Sequence, residues 1–195
     1  MKTTDSKQQA ISPEQIRFVF LDRDGVINCK PPEGEYVSSW DHFHILPGAE
    51  SAIASLNSAG IRVIVVSNQR GVALGMYAVE DVDALHARLR QHLSAYGAHI
   101  DAFYFCPHDN NQCNCRKPST GLIEQAFHDF REASPLNSVL IGDSLSDIEA
   151  ARNVGMPAIL VAGPPETQKP GSDKALGLAD RVCHSLGEAV EQILT

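Results

Sequence analysis

The apolar run Phe18-Val19-Phe20-Leu21 carries two acids, Asp22 and Asp24, into a turn opened by Gly25. A short run so rich in β-branched and aromatic residues reads as a buried strand, and active sites of open α/β sheets lie at the carboxyl ends of their strands. Residues i and i+2 of an extended segment point the same way, so Asp22 and Asp24 can face one small volume. Two carboxylates held there repel each other, and a cation or a proton must offset the repulsion. Mg²⁺ is the expected cation.

The rest of the chain repeats the pattern of strand, helix, strand. Ala49 to Gly60 predicts a helix that leads directly into a strand at Ile61 to Val66. Helices follow at Val79 to Tyr96, Thr120 to Phe130, Ser146 to Asn153 and Ser185 to Leu194. Strands are expected at Ala102 to Phe105, Ser138 to Ile141 and Pro157 to Val161. This alternation predicts an α/β fold with a doubly wound, mostly parallel sheet. A Lys-, Thr-, Ser- and Gln-rich leader over residues 1–15 precedes a single domain over residues 16–195, and residues 163–173 read as a Pro- and Gly-containing loop. His86 and His92 fall in the second helix and read as surface or boundary residues. The breaker-rich stretch Pro31 to Tyr36 lies on the site side of the sheet, so Tyr36 is a candidate substrate contact.

With 43% apolar and 21% charged residues, the 195-residue chain has the composition of a soluble globular protein. Its formal net charge of −8 argues against a nucleic-acid or anionic-membrane partner. No stretch has the apolar length of a membrane span, and the N-terminus lacks the apolar centre of a signal peptide, so a cytoplasmic location is expected. The oligomeric state is left open, with a monomer the simpler expectation.

Four clusters carry chemistry. Strand two ends in Ser67-Asn68-Gln69-Arg70-Gly71, a hydroxyl, two amides and a turn able to direct N–H and O–H groups at a phosphoryl group. Strand four ends in Gly142-Asp143, bringing a further acid to the same edge, where Asp22, Asp24 and Asp143 can converge on one hard cation. Asp147, four residues on, is either an orienting acid or a helix cap. Cys106, His108, Cys113 and Cys115 supply three thiolates and an imidazole, the ligand set of a closed structural Zn²⁺ site; the rival reading is one disulfide with incidental neighbours. Arg116 and Lys117 follow at once, and could be held toward the acids as cations for phosphate.

In this order the motifs resemble those of haloacid dehalogenase-like (HAD-like) phosphohydrolases: Asp22-Arg23-Asp24-Gly25, Ser67, Lys117, and Gly142-Asp143 with Asp147. The resemblance implies a Rossmannoid fold with Asp22 as nucleophile through an aspartyl-phosphate and Asp24 as general acid and base. It also implies Mg²⁺ held by the Asp22 carboxylate, the Asp24 backbone carbonyl and Asp143, with Ser67 and Lys117 on the phosphoryl oxygens. The zinc-loop pattern Cys-Pro-His…Cys-x-Cys-Arg-Lys-Pro is similar to the branch with D-glycero-D-manno-heptose 1,7-bisphosphate 7-phosphatases and histidinol-phosphate phosphatases, both with a minimal cap. Ser67 to Gly75 looks more like the heptose enzymes, which serve nucleotide-activated heptose and surface polysaccharide synthesis; the short spacer between His108 and Cys113 is more like the histidinol enzymes. Ser144 stands where heptose enzymes can carry a lysine, and Arg70 is the expected replacement for that contact. Asn68, Gln69, Arg70 and Arg116 are therefore expected at the substrate, a small anionic sugar phosphate.

Overall fold

The computed structural model describes residues 13–32, 34–163 and 171–195. Most of the expected leader lies outside these residues, although a 3-10 turn at Pro13–Gln15 is seen; so does 164–170 of the expected loop.

The first strand, β1 (Phe18–Leu21), is buried along its whole length. Its side chains alternate between two layers. Val19 and Leu21 enter one core with Val63, Val65, Ile53 and Leu89, while Phe18 and Phe20 enter the other with Ile64, Val66, Leu140 and Ile123. A strand apolar on both faces needs helices on both sides. These follow in chain order: α1 (Ala49–Ser58), β2 (Arg62–Asn68), α2 (Val79–Ser94), β3 (Ala102–Cys106), α3 (Gly121–Asp129), β4 (Ser138–Gly142), α4 (Leu145–Asn153) and β5 (Ala158–Val161). Then come α5 (Ser172–Leu178), β6 (Arg181–Cys183) and α6 (Leu186–Leu194). The helices α1, α2 and α6 pack on the Val19 face, and α3, α4 and α5 on the Phe20 face.

The sheet is parallel in every pairing, with strand order β3-β2-β1-β4-β5-β6. The chain winds outward from β1 to β2 and β3, then returns to place β4 on the other side of β1. The switch point thus lies between β1 and β4, where open sheets form their ligand crevice. Leu21 is paired with both Val65 and Ile141, so residues just past these positions arrive at one level. Among the described residues no separate cap domain is built. The segment between β1 and α1 folds over the strand ends with only a 3-10 turn at Trp40–His42.

Two expectations are corrected. The loop expected over residues 163–173 gives way to α5 at Ser172, and β6 was not foreseen; at seven and three residues both are too short to show a clear period. His86 is no surface residue, being 4% exposed and stacked on Phe103 at 4.3 Å between ring centroids. Burial pushes its imidazole down to about 3, which keeps it neutral. No helix among the described residues is long and apolar enough to cross a membrane.

Phe20 is fully buried and meets Phe127 edge-on, with ring centroids 5.5 Å apart. Phe20→Ala is expected to cost about 3–5 kcal/mol of unfolding free energy. Urea denaturation checks this, and a loss below about 1 kcal/mol would contradict the packing described.

Candidate active site

The crevice at the switch point is lined by Asp22, Asp24, Asn68, Arg70, Arg116 and Lys117, with Asp143 and Asp147 opposite, around a cavity of about 580 Å³. Pro31, Pro32 and Tyr36 from the loop after β1 form its roof.

Asp22 is the first residue past β1, and its N–H donates to the Ile141 carbonyl at 2.9 Å, which fixes it beside the end of β4. Asp143 reaches the same place from β4. Gly25 is what lets it in: a Cβ there would stand 2.3 Å from Asp143 Oδ2, and the φ of 98° also disfavours any side chain. Gly142 does the same for Asp147, whose Cβ would be 2.2 Å from one added at the glycine. The ligand atoms of Asp22, Asp143 and Asp147 lie within 4.8 Å of one another.

Lys117 holds this cluster together. Its side chain is 1% exposed, and its ammonium reaches Asp22 Oδ1 at 2.9 Å, the Val66 carbonyl at 2.7 Å and Asp147 Oδ1 at 2.5 Å. It donates hydrogen bonds to Asp22 and Val66 and pairs with Asp147 by charge. The lysine is itself positioned through its backbone, because the Asn68 amide accepts from Lys117 N at 3.0 Å and donates to Lys117 O at 3.1 Å. Asp147 turns out to be both of the things left open from sequence. Its Oδ2 accepts from the Ser144 N–H and hydroxyl at the start of α4, while Oδ1 faces Lys117.

Asp24 departs from the convergence expected of the three acids. Its carboxylate lines the cavity but turns away from the acidic cluster, accepting from Arg23, from Asn28 Nδ2 at 2.9 Å and from Gln69 Nε2 at 3.2 Å. Asp147 takes its place among the clustered carboxylates. The rule that i and i+2 share a face holds only inside a strand, and β1 ends at Leu21. Arg23 is fully buried, so its charge needs partners: Asp24 at 3.0 Å, Gln69 Oε1 at 3.3 Å and the Phe43 ring at 5.7 Å.

Gln69 sits beneath the cavity, 1% exposed. Its Oε1 faces two donors, Tyr77 Oη at 2.8 Å and Arg23, which orients the amide so that Nε2 serves Asp24 and Ser67. Ser67 Oγ accepts from that Nε2 at 2.6 Å, which leaves the hydroxyl proton to donate. Tyr36, Arg70 and Arg116 line the cavity itself. Arg70 Nε donates to Asp109 at 2.5 Å, and Arg116 Nε to Asn110 at 2.9 Å. Arg116 Nη1 is buried with no hydrogen-bond partner.

Cys106, His108, Cys113 and Cys115 gather beside this site because Cys106 is paired with Asn68 across β3 and β2. Their sulfurs are 3.1–3.4 Å apart, and His108 Nδ1 is 3.3 Å from Cys115 Sγ. All three cysteines of the cluster are free of disulfides. A disulfide would need about 2.05 Å, whereas ligands around tetrahedral zinc stand about 3.8 Å apart. The cluster is compatible with a zinc site.

Sequence reasoning missed four residues of the site: Arg23, Asn28, Tyr77 and Lys30. Lys30 was detectable as the only lysine or arginine between Arg23 and Arg62.

A parallel sheet with acids at the ends of its first and fourth strands is the framework of the HAD-like hydrolases, and a family model described as HAD-hydrolase-like matches residues 114–189. A D-glycero-alpha-D-manno-heptose-1,7-bisphosphate 7-phosphatase of Mycobacterium bovis is 40% identical over 171 residues, 87% of each chain. The beta-named enzyme of Rhodopseudomonas palustris is 40% identical over 155 residues, covering 74% of this chain and 82% of that one. A crystal structure of D,D-heptose 1,7-bisphosphate phosphatase from B. bronchiseptica, complexed with magnesium and phosphate, superposes with a TM-score of 0.80 at 32% identity, covering 92% of this chain and 98% of that one. The chain belongs to this heptose-bisphosphate phosphatase family of HAD-like hydrolases. These relatives do not favour the histidinol-phosphate alternative.

Burial raises the Asp22 carboxyl to about 7; Lys117 opposes the rise, and the neighbouring acids add to it. A carboxyl raised in the fold ionises first in the unfolded chain, so between about pH 4 and 7 its contribution to stability is lost as pH rises. The thermal midpoint of metal-free protein is therefore expected to fall from pH 5 to pH 8, and Asp22→Asn to flatten the fall. An equally steep fall in the variant would contradict this assignment.

Proposed function

We propose that the protein is an Mg²⁺-dependent phosphatase that removes the 7-phosphate of a D-glycero-D-manno-heptose 1,7-bisphosphate. The observation that carries this reading is the pairing of an acid cluster at the switch point with two arginines across one cavity, which suits a substrate with two phosphates. The donor set fits the metal: Asp22, Asp143 and Asp147 offer hard oxygens, and Asp143 Oδ1 is buried with no hydrogen-bond partner. Asp22 and Asp143, with the Asp24 backbone carbonyl, would hold it. When bound, Mg²⁺ would neutralise charge on the carboxylates and on a phosphate oxygen.

Lys117 fixes the Asp22 carboxylate through Oδ1, so the nucleophile is oriented before substrate arrives. Attack by Asp22 on phosphorus forms the aspartyl-phosphate and breaks the bond to the C7 oxygen, which takes a proton from Asp24. Asp24 then accepts a proton from the water that cleaves the acyl phosphate, releasing phosphate and restoring Asp22. Arg23, Asn28 and Gln69 hold Asp24 for both steps. Ser67, hydrogen-bonded to the same Gln69, would donate its hydroxyl to a phosphoryl oxygen, and Arg70 and Arg116 would bind the distal phosphate as charged donors. Tyr36 would close the roof over the sugar.

The Cys₃His cluster would hold one structural Zn²⁺, which lowers the cost of crowding three thiols that the metal-free loop cannot all ionise; burial pushes the Cys106 and Cys115 thiols up. A cytoplasmic enzyme supplying nucleotide-activated heptose for surface polysaccharide fits this activity.

Phosphate release from a panel of both heptose 1,7-bisphosphate anomers and histidinol phosphate tests the reading. A heptose bisphosphate should be preferred, only with Mg²⁺, and preference for histidinol phosphate would overturn it. Asp22→Asn should abolish turnover, and Asp24→Asn should lower kcat by about 10²–10⁴. Arg70→Ala should raise KM for the bisphosphate about tenfold, a loss of about 1.4 kcal/mol. Protein purified without added zinc should carry about one equivalent by metal analysis.

A further inference from the structure

Lys30 has no part in the chemistry described so far. It stands where the loop leaves the β1 turn, and its side chain is 29% exposed at the edge of the cavity. Its ammonium donates to Asp143 Oδ2, while Asp143 Oδ1 is buried without a partner. The other two carboxylates of the cluster share Lys117. Three acids thus face two ammonium groups, and Lys30 is the one that compensates Asp143.

A divalent cation entering among Asp22, Asp143 and Asp147 would need Asp143 and would meet Lys30 there. Lys30 holds Oδ2 while Oδ1 is open, so a divalent cation at Oδ1 would share the carboxylate with the ammonium, and two cations repel at that distance. The backbone of Lys30 is held by the Pro31-Pro32 that follows, so it is the four-carbon stem that can move. Beside it the cavity opens toward Tyr36, Arg70 and Arg116. A phosphoryl group there offers the displaced ammonium new acceptors.

We propose that Lys30 is a tethered counter-ion that occupies Asp143 in the metal-free protein and becomes a substrate-binding residue, directed at phosphoryl oxygens, once a divalent cation takes Asp143. The second half rests on the phosphatase reading; the first does not. Cation would then bind before substrate, because phosphate gains the lysine only after the metal has released it.

Calorimetric titration of Mg²⁺ into metal-free protein, with no substrate present, tests the first half. Lys30→Met should bind Mg²⁺ about tenfold more tightly than wild type, since no ammonium must be displaced. The thermal midpoint of the metal-free variant should be lower than that of wild type, and saturating Mg²⁺ should narrow the gap. Equal or weaker Mg²⁺ binding would overturn the counter-ion role. Titration of inorganic phosphate into Mg²⁺-saturated protein tests the second half: the variant should bind it about tenfold more weakly. Unchanged phosphate affinity would overturn the hand-over to substrate. Lys30→Gln, which keeps a polar side chain without the charge, should behave as Lys30→Met in both titrations, and wild-type affinities in it would contradict a role for the charge. Both titrations are independent of which sugar phosphate the enzyme hydrolyses, so failure on the substrate panel is distinguishable from failure here.

Discussion

Mutual repulsion among carboxylates is the constraint around which this molecule is built. Asp22, Asp143 and Asp147 are brought to one point by two adjacent strands and a helix start. Lys117 answers that repulsion from inside the protein, at 1% exposure, hydrogen-bonded to Asp22 and Val66 and ion-paired with Asp147. Removing one member of such a buried set leaves the others uncompensated, which costs far more than the net value of the pairing. Much of the surrounding architecture serves to keep the lysine in place: the Val66 carbonyl at the end of β2, the two-sided Asn68 amide, and the register that sets β2 against β3.

The sheet and most helices were legible because their apolar periods are long and their terminators plain. Phe18 to Leu21 reads as doubly buried and is so, with alternate residues in two cores. The acids at the strand ends were legible too, since parallel strands present their carboxyl ends at one edge of the sheet; the strand order that sets β1 beside β4 was not. Side-chain direction beyond a strand end was not. Asp24 lies in the turn, bridged to Asn28, and faces its neighbour Arg23 rather than the acidic cluster. His86 was misjudged because a helix period gives the buried face but not what covers it; here Phe103 and Phe105 do. Lys30 belongs to no apolar pattern at all, and only the folded loop brings it to Asp143, 113 residues away in sequence.

Two donor sets of opposite character stand side by side at the rim of the sheet. The acidic cluster offers only hard oxygens, and the loop after β3 offers three sulfurs and an imidazole. Ligand softness keeps such sites from competing for the same ion. Gln69 connects the chemistry to the scaffold, since one amide orients Asp24 and Ser67 while its oxygen is fixed by Arg23 and Tyr77.

The double use of Asn68 has a consequence for how such a protein can diversify. Its backbone is in register with Cys106, where the cysteine loop begins, and its side chain grips Lys117, just after the loop ends. The loop is therefore a lasso closed on a single knot. Residues between the knot's two strands, including Asp109 and Asn110 that hold the arginines, can be lengthened, shortened or exchanged while Lys117 stays where it is. Selectivity and chemistry are thereby mutable on separate clocks, one written in the lasso and the other in the sheet.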